Sequence, residues 1–361
     1  MAFSEACFPA SEDRSSTNLT VANTGISFGN GQDMNGIRFA WRDGHFTRVN
    51  GLNLSAWNPY DTLTGEVNGI AFGILGPAAQ QMRGLSVGVG GVLAGKSLEG
   101  INLAGLGLVS KGIITGVNVA GLGLVAQGSM TGINIGGLGL VCQGDITGLN
   151  LAGLGLVPQG TATGVNIGGL GVVSQGSAIG INAAALGLVA QQQMIGFNIG
   201  GLGTVAQSDI FGLSIGGLGL VSQGQIAGCS VGGLGLVSSG AITGLNVAGL
   251  GLVGQEAITG VSVTAGMVRS GQGITGVAVG AYRLKAPEIT GANVSIAWTE
   301  STELTGFTVS AYNRTFGTQR GLIIGIFNHT EDLLGVQIGL LNYAENNPSW
   351  ARILPFINAN F

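Results

Sequence analysis

The sequence predicts an all-β repeat protein, a β-solenoid with about 16 residues per coil. Gly recurs at 84, 100, 116, 132, 148, 164, 180, 196, 212, 228, 244 and 260, and again at 276, always 16 residues apart. Within each repeat, bulky apolar residues alternate with small ones in the manner of a strand. Gly makes up 70 of the 361 residues, and a helix would lose roughly 1 kcal/mol at each one. Collagen is excluded because Gly does not fall at every third position and only 7 Pro are present, and the 45% apolar content excludes disorder.

A typical repeat reads Gly132-Ile-Asn-Ile-Gly-Gly-Leu-Gly-Leu-Val-Cys-Gln-Gly-Asp-Ile-Thr147. Position 3 is Asn at 102, 118, 134, 150, 166, 182, 198 and 246, and Ser at 86, 214, 230 and 262. Stacked coils would lie about 4.8 Å apart, so Asn102, Asn118, Asn134, Asn150, Asn166, Asn182, Asn198 and Asn246 are expected to form a structural ladder, each bonding to the next coil. Bulky apolar residues occupy positions 2, 4, 7, 9 and 10, and often 15. A bend at the small pair at 5 and 6 would turn positions 2, 4, 7 and 9 inward together. Lys96, Lys111, Asp145, Asp209 and Glu256 sit at positions 12 to 14, which marks a shared turn edge; Glu99 and Arg269 are the exceptions.

Residues 1–24 read as a polar leader, 25–83 as irregular repeats, 84–275 as twelve regular repeats, and 276–361 as irregular repeats with an end cap, all in one continuous domain. The irregular copies begin at Gly25, Gly36, Gly51 and Gly69, and later at Gly276, Gly291, Gly306, Gly321 and Gly335. Asn58–Thr62, Thr299–Thr302, His329–Asp332 and Glu345–Pro348 are expected as turns. Met1–Ser16 carries four charges and no apolar core, so it does not read as a secretory signal. The alternative architecture is a transmembrane β-barrel of short-turn antiparallel strands, favoured by the scarcity of charge and the terminal Phe361. Against it stand an apolar lumen face and the lack of Trp or Tyr girdles in the regular repeats.

Gly321-Leu-Ile-Ile-Gly-Ile-Phe-Asn328, Gly335-Val-Gln-Ile-Gly-Leu-Leu-Asn-Tyr-Ala344 and Leu354-Pro-Phe-Ile-Asn-Ala-Asn-Phe361 resemble the bacterial surface repeat-containing proteins. Their units read Gly-apolar-Gln-apolar-Gly-Leu-apolar-Asn, and their chains finish on a Leu-Pro…Asn-x-Phe segment. The resemblance is looser over 84–275, where Asn replaces Gln at position 3. It implies an exported protein of the cell envelope, at the cell surface or outer membrane.

No residue pattern calls for a cofactor or a metal. Gly90–Ser97 matches the phosphate-cradling G-x-x-x-x-G-K-S pattern, but another repeat follows it where a helix should start. His45 and His329 are the only histidines and read as solvated turn residues; Glu331 and Asp332 read likewise. Cys142 and Cys229 are size-matched repeat substitutions, and with Cys7 they give neither a disulfide framework nor metal spacing. Trp41, Trp57, Tyr282, Trp298, Tyr312, Tyr343 and Trp350 cluster in the irregular ends as caps or, on the sharper reading, as sugar-stacking platforms. A net charge of −4 disfavours nucleic acid. The function expected is a non-catalytic exported scaffold presenting a flat, low-charge surface of Gly, Asn or Ser, Ala and Gln for adhesion or envelope assembly, the alternative being an outer-membrane pore passing small solutes. Its partners would be other envelope proteins, glycans, the outer membrane or further copies of itself. Ice binding is the weaker third reading, since only position 16 carries Thr, in about half the repeats.

Overall fold

A computed structural model describes residues 16–29, 32–59 and 63–361. Their regular structure is all strand, with no helix among them. The chain divides into two compact bodies, Met1–Gly153 and Leu154–Phe361, and each is a β-solenoid. In the C-terminal body, Ala178–Ala184 pairs in parallel with Ala162–Gly168 on one side and Met194–Gly200 on the other, every partner being 16 residues away. The four-residue strand Gly187–Ala190 lies in the same way between Gly171–Ser174 and Gly203–Ala206. In the N-terminal body, Met130–Gly136 lies between Ile113–Ala120 and Ile146–Ala152. Each regular coil thus has a long arm over positions 15 to 5, a short arm over 8 to 11, and corners at 6–7 and 12–14. A barrel pairs neighbouring strands antiparallel. Here the pairing is parallel and skips a strand, so the barrel is not formed, and the pore that needs its lumen falls with it.

Position 1 is Gly for a backbone reason. From Gly180 to Gly276 these residues hold φ between 103° and 120°, a region that L side chains rarely adopt. A Cβ on Gly196 would also land on the carbonyl oxygen of Gly180 in the coil before, and the same collision repeats up the column.

The facing of the side chains differs from expectation. Along Met130–Gly136, positions 15, 3 and 5 are buried while 16 and 2 are exposed. Along Gly139–Cys142, positions 9 and 11 are buried and 10 is exposed. Odd positions point inward on both arms, so no parity switch occurs. The interior consists mostly of Ile or Met at 15, with Ala at 162 and 178; Asn or Ser at 3; mostly Ala or Gly at 5; mostly Leu at 9, with Thr at 204; and a small residue at 11. Positions 2, 4 and 7, expected inside, look outward. With a strand period of two, an inward Asn at 3 obliges 2 and 4 to face out.

The ends are antiparallel. Ser16–Val21, read as part of the leader, pairs with Thr24–Gly29. Its hairpin turn is Ala22-Asn23, whose φ values of 49° and 60° are the left-handed pair of a type I′ turn. At the other end, Ile353–Asn360 pairs antiparallel with the Gly335–Tyr343 part of the strand Tyr312–Ala344. That strand contains His329–Asp332, and Trp298–Ser301 is also a strand, so neither segment is the expected turn. Both are short-arm segments of irregular coils. Glu345 and Asn346 do turn, whereas the Asn58–Thr62 segment lies partly outside the described residues, as do residues 1–15 with Cys7.

Gly196→Ala combines the backbone strain, about 1–3 kcal/mol, with the collision against Gly180. Gly187→Ala at position 8 adds a Cβ with nothing within 4 Å. Denaturant midpoints are expected to fall sharply for the first and to stay near wild type for the second.

Candidate functional site

The position-3 column is fully buried at all eight Asn. In the N-terminal body, the Asn102 Nδ2 donates to Asn118 Oδ1 at 2.8 Å, Asn118 to Asn134 at 2.9 Å, and Asn134 to Asn150 at 2.8 Å. In the C-terminal body, Asn166 donates to Asn182 at 2.8 Å, Asn182 to Asn198 at 2.9 Å, and Asn198 to the Ser214 hydroxyl at 3.3 Å. Beyond that, Ser230 Oγ, both amide atoms of Asn246 and Ser262 Oγ have no protein partner. A Ser side chain is too short to replace the bridging amide on either side of Asn246.

Two polar interiors were not singled out from the sequence. On the short arms of the last coils, Asn313 Nδ2 donates to Asn328 Oδ1 at 2.8 Å and Asn328 Nδ2 to Asn342 Oδ1 at 2.7 Å. The recurring final Asn of the C-terminal motif was the available signal. In the N-terminal body, Arg38 stands at position 3 of the coil begun at Gly36, wholly buried. Its guanidinium meets Asp43 Oδ1 at 2.8 Å and Asn53 Oδ1 at 2.7 Å, and lies 4.5 Å from the Phe46 ring centre. Asp43 Oδ2 accepts the Ala78 N–H at 3.1 Å. Counting coil positions exposes Arg38 as a charge in the Asn column, which demands a buried counter-ion.

The candidates for chemistry are dispersed. Gly91–Ala104 is a strand, and the Gly91 and Leu93 amides donate to Leu75 and Pro77 of the coil before, so they are not free to cradle a phosphate. Cys142 Sγ, at position 11, donates to Gly128 O at 3.0 Å, just as the Ser174 hydroxyl donates to Gly160 O at 2.8 Å. Burial pushes the Cys142 thiol up, the opposite of an activated nucleophile. Cys229 is half-buried, facing out at position 2. Among the described residues, no three His, Cys, Asp or Glu side chains gather to hold a metal ion.

His45 is exposed at a bend. His329 instead stacks on Tyr343, ring centres 4.8 Å apart and planes 7° apart. Burial, and then the Arg314 guanidinium, push its imidazole below the ordinary range, against the upward pull of Glu331 and Glu345. Glu331 and Asp332 both lie outside, between the buried Thr330 and Leu333, and the Asp332 carboxylate accepts from Asn346 Nδ2 at 2.7 Å. Burial alone would raise the Glu300 carboxyl, but hydrogen bonds from Lys285 and Arg283 outweigh it and hold it below the usual carboxylate range. Three of the aromatic rings pack on their neighbours. Arg283 lies over Trp298, Trp298 meets Tyr312 edge to face, and Tyr312 stacks on Phe327 at 5.2 Å. Trp41, Tyr282 and Trp350, by contrast, are exposed.

What the coils offer outward is aliphatic. Leu122 and Leu138 at position 7 of the N-terminal body are each about half exposed, as are the leucines from Leu154 to Leu250 in the C-terminal body. Ile181, Phe197 and Leu245 at position 2, Ile167 and Val247 at position 4, and Val173, Val205 and Val221 at position 10 are exposed beside them. Comparison with family models, curated proteins and solved structures returned no match.

Asn134→Leu strands a donor on Asn118 and an acceptor on Asn150, and is expected to cost about 2–4 kcal/mol. Asn246→Leu removes an amide that bonds to nothing in the protein, and its denaturation midpoint is expected at or above wild type. For His329, the unfolded chain takes up the proton near pH 6.5, and the folded chain does so only at lower pH. The stability tied to its neutral form is therefore present above about 6.5 and is lost as pH falls. His329→Phe keeps the stack on Tyr343, and its midpoint is expected to decline less than wild type on acidification.

Proposed function

We propose that the chain is a non-catalytic repeat scaffold of the cell envelope, at the cell surface or outer membrane, acting through its low-charge outer surface in adhesion or assembly. The observation that carries this reading is the set of exposed aliphatic columns repeated from coil to coil. Monomeric soluble proteins seldom leave contiguous apolar patches beyond roughly 300–600 Å² uncovered, and larger ones mark interaction sites. The buried polar side chains of the Asn runs and the Arg38–Asp43 pair are spent on each other inside the coil. The C-terminal likeness to surface repeat-containing proteins supports the envelope location.

The purified chain is expected to turn over no ester, peptide, glycoside or nucleotide in a broad substrate screen. A turnover abolished by a single substitution at His329, Cys142 or Glu331 would overturn the scaffold reading.

A further inference from the structure

The outward residues of the C-terminal body are sorted around the coil. Positions 2 and 4 on the long arm, 7 at one corner and 10 on the short arm are aliphatic. The opposite corner, positions 12 to 14, reads Gln175-Gly-Ser177, Gln191-Gln-Gln193, Gln207-Ser-Asp209 and Gln223-Gly-Gln225 in successive coils. Between Leu154 and Val268 the sequence holds two charged residues, Asp209 and Glu256, and both lie on that polar edge. The two arms of a coil pack their inner faces together, so the two outer faces look in opposite directions and meet at the leucine corner. We infer that this leucine edge, Leu154 to Leu250, is immersed in the acyl chains of one leaflet of a phospholipid bilayer, with the Gln-Gly edge at the headgroups. This rests on the envelope reading above and names the partner.

Three further observations select lipid over a second copy of the chain. First, the apolar surface is a ridge with two sides. Six coil spacings give it a length of about 29 Å, and positions 2 to 7, the end of the long arm and its corner, cover at most about 16 Å of chain. Either side thus offers at most roughly half of the 800 Å² per partner that a stable protein interface needs. A flat protein surface covers only one side, whereas a fluid medium covers both. Second, the span of at most about 16 Å fits within one leaflet's share of a hydrocarbon core about 30 Å thick. Third, the backbone at the leucine corner is already satisfied. The Leu170 N–H donates to Leu154 O at 2.7 Å, Leu202 to Leu186 at 2.7 Å, and Leu234 to Leu218 at 2.6 Å. Lipid demands such satisfaction, because it offers no replacement hydrogen bond.

The test uses the full chain with Cys7→Ser, Cys142→Ser and Cys229→Val, carrying one nitroxide label at Leu218→Cys or at Gln223→Cys. With vesicles of phosphatidylcholine, the chain is expected to float with the lipid. The label at 218 should be accessible to oxygen and shielded from a water-soluble nickel complex, and the label at 223 should show the reverse. The combination of Leu202→Asp, Leu218→Asp and Leu234→Asp is expected to lower the vesicle-bound fraction by at least about a hundredfold, while Gln207→Asp with Gln223→Asp leaves it unchanged. If the leucine variant loses its β-sheet circular dichroism, the label pair alone decides. A chain that stays in the aqueous fraction, labels equally open to nickel in the presence of vesicles, or a lipid-free oligomer that shields position 218 would each overturn the inference. A chain that floats yet turns over a substrate keeps this inference and loses the scaffold reading; an inert chain that does not float does the reverse.

Discussion

Coils stacked in register place each residue directly over its counterpart one repeat away, and the tightest point of that stack is the backbone at position 1. There the chain turns through φ near 110° with the carbonyl of the preceding glycine where a Cβ would sit. The rest of the composition follows from being next to oneself. Asn tolerates its own kind, because one amide both gives and accepts. Leu and Ile tolerate theirs by packing. A charge does not: like charges one coil apart repel by approaching ~1 kcal/mol even in water. The 8% charged content is the outcome, and three of the charges that persist meet an opposite charge in the neighbouring coil, although Glu288 stands beside Glu303 and Arg269 beside Lys285. Arg48 faces Glu66 at 3.6 Å, Arg83 faces Glu99 at 3.3 Å, and Lys285 faces Glu300 at 2.8 Å.

The repeat length, the all-strand content and the solenoid were legible because a 16-residue period with so much Gly leaves few other ways to form backbone hydrogen bonds. The direction of the side chains was not. Judging burial by hydrophobicity sends Ile133 and Ile135 inside and leaves Asn134 to the surface, and the coil does the opposite. The rule fails because the cost of burying an amide falls on an amide without a partner, and a column of identical residues provides the partner. The counter-signal lay in the small residues: Ala or Gly at 5 and Ser, Ala or Cys at 11 share the parity of 3, 9 and 15. His329 was misplaced for a related reason. Polar neighbours such as Thr330 and Asp332 suggest a turn, but Thr330 is buried and bonded to Gly317 O at 2.9 Å inside a strand.

The limit of the column principle is also visible in the residues. Ser230 and Ser262 keep the small polar character of position 3 but not its reach, and Asn246 between them has no amide to meet. Arg38 is the reverse case, a side chain longer than the column allows, accommodated because Asp43 and Asn53 close around it. Neither outcome follows from the residue alone, since each depends on what the adjacent coil presents.

A coil that fills its narrow interior with one Leu, one Ile, an amide and two small residues has little room for more aliphatic volume. The remaining Ile, Val and Leu of each repeat have no inward place to go, and period-two geometry fixes them outside. Cohesion between coils comes mainly from backbone ladders and columns, which are indifferent to the medium beyond the outer face. A globular protein holds its shape by withdrawing apolar groups from water, so its surface cannot turn apolar without loss of solubility or specificity. In this solenoid the outer surface is released from that duty, which is why two faces and a leucine edge can be apolar while one edge keeps Gln, Gly and the few charges.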